Sequence, residues 1–256
     1  MRWISVIGAM AIRQLKRFFR ARARALSTIM MPLMWLLLFG IGFSTAFRGV
    51  GFRSILGTSY ISFLVPGIVC MTMFVSSFMS GISVIWDRQF GFLKEVLVAP
   101  APRTFIILGR VLGDVTTSLI QALLIMVIGI ALAHSLYVYG IPVALIYCLL
   151  LGMIGAGLGT MLALSINSIE AFQALVSFII LPLNFISNIF YPLNRMPTWF
   201  KIPALLNPIT YATDALRGLL IHRCVIGLGI DSIVLIVVAC VVIVLAAYMF
   251  RRTSIE

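Results

Sequence analysis

The chain has 256 residues, 62% of them hydrophobic and only 10% charged, where an ordinary globular domain is roughly a quarter charged; that balance places it in a membrane. Its formal charge of +12 is read as a topology signal and an attraction to anionic headgroups rather than as nucleic-acid binding. The four cysteines, Cys70, Cys148, Cys224 and Cys240, are too widely spaced to outline a disulfide framework or a zinc site.

Residues 1–25 form the first element. On a helix, Ile4, Ile7, Ala11, Leu15 and Phe18 cluster opposite Arg13, Lys16, Arg17, Arg20 and Arg24, so an interfacial amphipathic helix is expected, apolar face in acyl chains and basic face toward headgroups. Its basic residues follow the first apolar ones and no small-residue cleavage site ends the run, unlike a secretory signal. The first span is therefore expected to be retained.

Runs free of Asp, Glu, Lys and Arg cover 25–47, 54–86, 115–169, 171–194 and 232–250. A crossing helix needs about 20 residues, so the third run folds back once, at "AHSLYVYGIP" (133–142). Six transmembrane helices follow, near 26–47, 60–86, 112–133, 142–165, 172–191 and 231–250, in an all-α integral membrane protein. With both termini cytoplasmic, thirteen of the nineteen Lys and Arg residues fall inside.

Within the spans, Asp87, Asp114, Glu170 and Asp231 all fall at ends, which argues against an ion-coupled carrier with a mid-membrane ionisable group. The second span carries a stripe of Thr72, Ser76, Ser80 and Ser83 beside Met73, Phe74, Phe78 and Met79. The fifth carries Ser177, Asn184 and Asn188 on one face, with Ser187 and Pro182 nearby. These faces meet other helices or a wet cavity, although hydroxyls also bond to their own helix's carbonyls. Gly109/Gly113 and Gly152/Gly155/Gly159 have the spacing of close helix contact.

Two connecting segments stand out. In the loop 87–103, Phe90, Phe92, Leu93, Val96 and Leu97 form one arc with Lys94 and Glu95 opposite, ended by Pro100 and Pro102; such a short helix suits either a groove on a second protein or the membrane surface. The loop 191–229 interrupts short amphipathic pieces with Pro192, Pro197, Pro203 and Pro208 and carries Trp199 and Phe200. Two short helices dipping into the outer leaflet are expected there, with Asp214 and Arg217 spaced to pair. No catalytic constellation is present: His134 and His222 have no partners at useful spacing, and none of the three lysines follows the glycine of a Walker A loop. No nucleotide-binding domain is therefore expected in this chain.

The segments "FLVPGIV" (63–69), "DRQFGFLKEVLVAPAPRTFIILGR" (87–110), "NIFYPLNRMPTW" (188–199) and "LNPITYATDALRG" (206–218) resemble those of the membrane permeases of type-2 ATP-binding-cassette (ABC) exporters of the drug, antibiotic and polysaccharide type. One departure is "DRQFG", where many relatives carry an acidic residue just before the glycine. The resemblance implies that Gly91 to Ala99 is a coupling helix, with Phe90, Gly91, Phe92, Leu93, Lys94, Glu95, Val96 and Leu97 docking on a separate ATPase subunit that binds ATP and Mg. It implies two permeases, as a homodimer or related heterodimer, each with one ATPase, in the cytoplasmic membrane of a bacterium or archaeon. The implied substrate path uses Phe74, Ser76, Phe78, Ser80, Ser177, Asn184 and Asn188. An extracellular lid would contain Tyr191, Pro192, Pro197, Trp199, Asn207 and Pro208. An ion-coupled secondary transporter or channel is the alternative; a membrane enzyme is a third, for which no residues are visible.

Overall fold

The computed structural model describes residues 2–20, 22–46, 58–91, 103–133 and 136–252. Every helix and strand position among them is helical. In chain order the helices are α1 (Arg2–Arg20), α2 (Arg22–Ala46), α3 (Tyr60–Met79), α4 (Ile82–Gln89), α5 (Arg103–Ala133), α6 (Ile141–Ser165), α7 (Ile169–Ile186), α8 (Thr198–Leu205), α9 (Pro208–Ile221) and α10 (Leu228–Arg252). Among the described residues, five stretches are long and apolar enough to cross a membrane: 60–89, 104–133, 138–165, 169–186 and 228–252. The 25-residue α2, apolar over Ile29–Gly40, stands where the first of six spans is expected.

Capping residues set several boundaries. Ser59 accepts the Ser62 N–H and opens α3, Ser168 accepts that of Ala171 and opens α7, and Asn207 accepts that of Ile209 just before Pro208 at the start of α9. Each side chain satisfies an amide that the first helical turn leaves unpaired. His222 ends α9 in the left-handed conformation, at φ 53°.

α3 is the central helix, buried along almost its whole length. It packs against α2, α5, α6 and α9. The stripe Gly152–Gly155–Gly159 of α6 faces it so closely that a Cβ on Gly155 would meet Ser77 Oγ, and one on Gly159 would meet Phe78 O. Small residues permit this approach, and in a bilayer the gain is van der Waals contact rather than exclusion of water. At the same level the span breaks: Gly81 lies against Gly159 O, and α4 starts afresh with Ser83 N–H to Ser80 O and Val84 N–H to Gly81 O.

Three span limits differ from expectation. The second span runs on to Gln89 through the break, and the third starts at Arg103 rather than 112. Asp114 therefore lies about three turns inside α5, not at its end. The fifth ends at Ile186, so Asn188 belongs to the following turn and shares no helix face with Ser177 and Asn184. α7 itself is peripheral. It buries only Phe172, Val176, Ile180 and Asn184, a strip that advances about 40° per turn, which is why Ser177 is exposed although it lies about 20° from Asn184.

One end of the bundle gathers α1, α4, the start of α5, the α6–α7 turn and the end of α10. A small apolar cluster of Ile106, Ile107 and Phe250 with Val6, Met10, Leu164 and Ala247 closes this basic end. Gly159→Leu is expected to force α6 off α3 and lower stability by about 1–3 kcal/mol or more, read as a lower unfolding midpoint in detergent; Gly42→Ala, at a helical position with open space, should not lower it.

Candidate functional site

At the basic end, α1 docks on α5. A Cβ on Gly109 would come within 2.8 Å of Ile7 Cα, and one on Gly113 within 2.9 Å of Ala11 Cα. The two glycines thus form the seat for the amphipathic helix. This corrects the expected orientation, because part of the apolar face meets protein rather than acyl chains. Two of the arginines expected to face headgroups turn inward.

They converge on Asp87, which is 5% exposed in the last turn of α4. Arg13 donates to it through both terminal nitrogens, at 2.7 and 3.3 Å, and Arg17 lies 3.8 Å away with its guanidinium over the Trp86 ring. From the other side, buried Arg110 of α5 donates to Asp87 Oδ2 at 2.8 Å and to Ser83 Oγ at 2.5 Å. One carboxylate thereby joins three helices. The next residue, Arg88, donates to Asn167 Oδ1 at 2.6 Å and to Leu164 O at 3.0 Å, and Gln89 donates to Asn167 O. The root of the 87–103 loop is consequently tied to α1, α5 and the α6–α7 turn at once.

Beyond this root, Phe90 is 83% exposed and Gly91 turns the chain at φ 76°, a value that favours glycine. Phe92, Leu93, Lys94, Glu95, Val96 and Leu97 lie outside the described residues.

A cavity of about 400 Å³ lies beside the charged hub, between α1, α2, α3, α4 and α5. Thr72, Ser76, Ser80 and Ser83 line it with Gln14, Asp114, Thr117 and Gln121, facing Phe18, Met31, Met71, Met79 and Trp86. Several hydroxyls bond to carbonyls of their own helix, Thr72 to Ile68 O and Ser80 to Ser77 O, while Ser118 reaches across to Ser76 at 3.1 Å. The buried atoms Gln14 Nε2, Asp114 Oδ2 and Gln121 Oε1 have no partner among the described residues. Polar groups without partners in an apolar shell suit a ligand with both characters.

The residues assigned to the substrate path separate in space. Ser76 and Ser80 line this cavity. Phe74 and Phe78 are buried in the core, on the side of α3 that meets the α6 glycines. Ser177 faces outward and donates to Gln173 O. Asn184 and Asn188 are buried toward the opposite end, where the Asn188 carbonyl accepts from Arg217 at 2.7 Å.

At that opposite end α8 and α9 are the two short helices expected before the last span. Asn207 is buried and ties them to α7, donating to Leu183 O at 2.7 Å; Pro208 is the first residue of α9. Tyr191, Pro197 and Trp199 are exposed and Pro192 is half-buried. Asp214 and Arg217 form no hydrogen bond with each other. Arg217 instead donates to Phe63 O, Asn188 O and Ile189 O, its guanidinium 3.5 Å above the Phe63 ring. Burial pulls its pKa down to about 9 against the opposing effect of Asp214, so it stays charged near neutral pH. No sequence pattern announced this role, since a carbonyl cluster is assembled only by the fold.

Residues 5–221, α1 through α9, match the family described as ABC-2 type transporter. The chain belongs to that family. It is 36% identical over 200 residues to transport permease ycf38 of Cyanophora paradoxa, covering 77% of this chain and 68% of the relative. Against the protein of the same name in Porphyra purpurea it is 34% identical over 224 residues, covering 84% and 73%. Against the inner membrane transport permease YadH of Escherichia coli K12 it is 26% identical over 220 residues, covering 84% and 82%. The chain is thus a multi-pass ABC transporter permease subunit, and its relatives extend from bacteria to algae.

Asp87→Ala would leave Arg110 buried without its carboxylate, an expected loss of about 3–5 kcal/mol. Arg13→Ala, which leaves the Arg110–Asp87 pair standing, should cost about 1.5–3 kcal/mol. Unfolding midpoints of the two variants in one detergent check the order.

Proposed function

We propose that this permease is the membrane half of an ATP-driven exporter. A separate ATPase subunit, carrying ATP and Mg, docks on residues 90–97, with two permeases and two ATPases per transporter. The observation that carries this reading is the attachment of Asp87, Arg88 and Gln89 to α1, α5 and the α6–α7 turn. A push on the adjoining loop cannot be absorbed locally, because its root is bonded to three other parts of the bundle. ATP-driven movement of the docked subunit would then bias the helices between two arrangements. The Lys and Arg bias supports placing this end in the cytoplasm, in the cell membrane of a bacterium or archaeon.

The substrate is an amphipathic molecule, either a drug or antibiotic or a lipid- or glycan-type compound. Its entry lies at the cavity beside Ser76, Ser80 and Gln121, where methionine and aromatic walls adjoin hydroxyl and amide groups. Adaptable methionine surfaces accept varied apolar shapes, and α8 with Trp199 covers the exit.

Leu93→Asp and Val96→Asp should each abolish co-purification with the ATPase while the permease still inserts in the membrane; unchanged co-purification would overturn docking at this segment. Ser76→Leu should alter substrate preference at normal expression. Unchanged preference would remove the cavity from the path, and transport by the permease alone in liposomes would overturn the ATP-driven reading.

A further inference from the structure

Where α9 hands over to α10, three side chains from separate elements converge. Asp214 comes from α9, Cys224 from the connecting loop and Asp231 from the first turn of α10, and their ligand atoms all lie within 4.8 Å of one another. Cys224 Sγ is 3.2 Å from Asp214 Oδ2 and 3.7 Å from Asp231 Oδ2. Both carboxylates are buried, 1% and 0% exposed, whereas Cys224 is open to the surroundings.

Local bonding accounts for Asp214, which accepts the N–H groups of Val225 and Ile226 at 2.8 to 3.1 Å. It does not account for Asp231. This carboxylate makes only the long thiol contact, and its buried Oδ1 has no partner among the described residues. Two buried carboxylates beside a thiol, one with an unsatisfied oxygen, are costly unless a proton or a cation neutralises them.

We propose that Asp214, Cys224 and Asp231 form a binding site for a divalent cation of the zinc class. Zinc–sulfur and zinc–oxygen bonds of about 2.3 and 2.1 Å at a tetrahedral angle separate the ligand atoms by about 3.5 Å. The observed 3.2 and 3.7 Å bracket that spacing. A thiolate with two carboxylates selects zinc over magnesium and calcium, which require oxygen-only shells. The Gly227 N–H donates to Sγ at 3.2 Å. Binding replaces the thiol proton with the metal and releases that proton. Three protein ligands leave a fourth position for water, and the ion clamps the start of α10 to α9. The cysteine spacing gave no hint of this, because two of the three ligands are carboxylates.

The test uses the intact purified permease, equilibrated with zinc and washed, with bound metal measured by mass spectrometry and maleimide labelling of each cysteine followed by peptide mapping. Wild type should retain one zinc ion per chain, and zinc should slow labelling of Cys224, whose thiolate is both the nucleophile and the metal ligand, while leaving exposed Cys240 unaffected and magnesium without effect. Cys224→Ser and Asp231→Asn, checked for unchanged elution, should lose the ion. Zinc retained equally by wild type and Cys224→Ser, or by neither, would overturn the site. So would Cys224 labelling that is rapid and indifferent to zinc. Metal content settles the question even if Cys224 resists labelling, and neither measurement depends on transport or on the ATPase.

Discussion

The organisation of the basic end depends on one buried carboxylate. Asp87 accepts from Arg13 and Arg110 and attracts Arg17, so helices separated widely in sequence are fixed by a single side chain. The cost of withdrawing an acid from water is offset only because the guanidinium groups converge on it. Arg110 depends on the same arrangement, being equally buried, and takes Ser83 as its second acceptor. Without this pairing, α1 would be held to α5 mainly by the close fit at Gly109 and Gly113.

The opposite end follows a different rule. Buried Arg217 has no carboxylate directly bonded to it and instead gathers three backbone carbonyls from the start of α3 and the turn after α7. The Asn188 and Ile189 carbonyls lie past the end of α7 and need donors, and one planar guanidinium supplies several in a fixed fork that also reaches the first turn of α3. Charge is thus used as a bridge between helices at one end and as a cap on broken backbone at the other. Between them α3 is held by shape, through the glycines of α6.

Much of this was legible in the sequence, because length and hydropathy leave a membrane chain few options. The apolar runs, the amphipathic N-terminus, the two short helices before the last span and both glycine spacings could be read directly. Helix ends were less accessible. Counting charge-free residues placed the start of the third span near 112, yet the helix begins at Arg103, and Arg110 within that extension is paired. The faces of α3 were also ambiguous. A helix buried on all sides has no polar side to orient it, so Phe74 and Phe78 could not be separated from Ser76 and Ser80 by periodicity. Pairings such as Arg13 with Asp87, or Asp214 with the loop amides rather than Arg217, exist only once distant elements meet.

The interruption at Ser80–Gly81 has a mechanical consequence. Below it, α4 is joined to the long central helix by a short stretch of backbone resting on Gly159, a contact with no side chain to interlock. Phe90 lies nine residues farther on, about 13 Å along a helical rise, so a tilt of ten degrees about Gly81 would carry it sideways by about 2 Å. The central helix would keep its packing throughout such a tilt. Gly81 would then act as a pivot and α4 as a lever arm, turning a small rotation at the membrane surface into a displacement that α1, α5 and the α6–α7 turn must share.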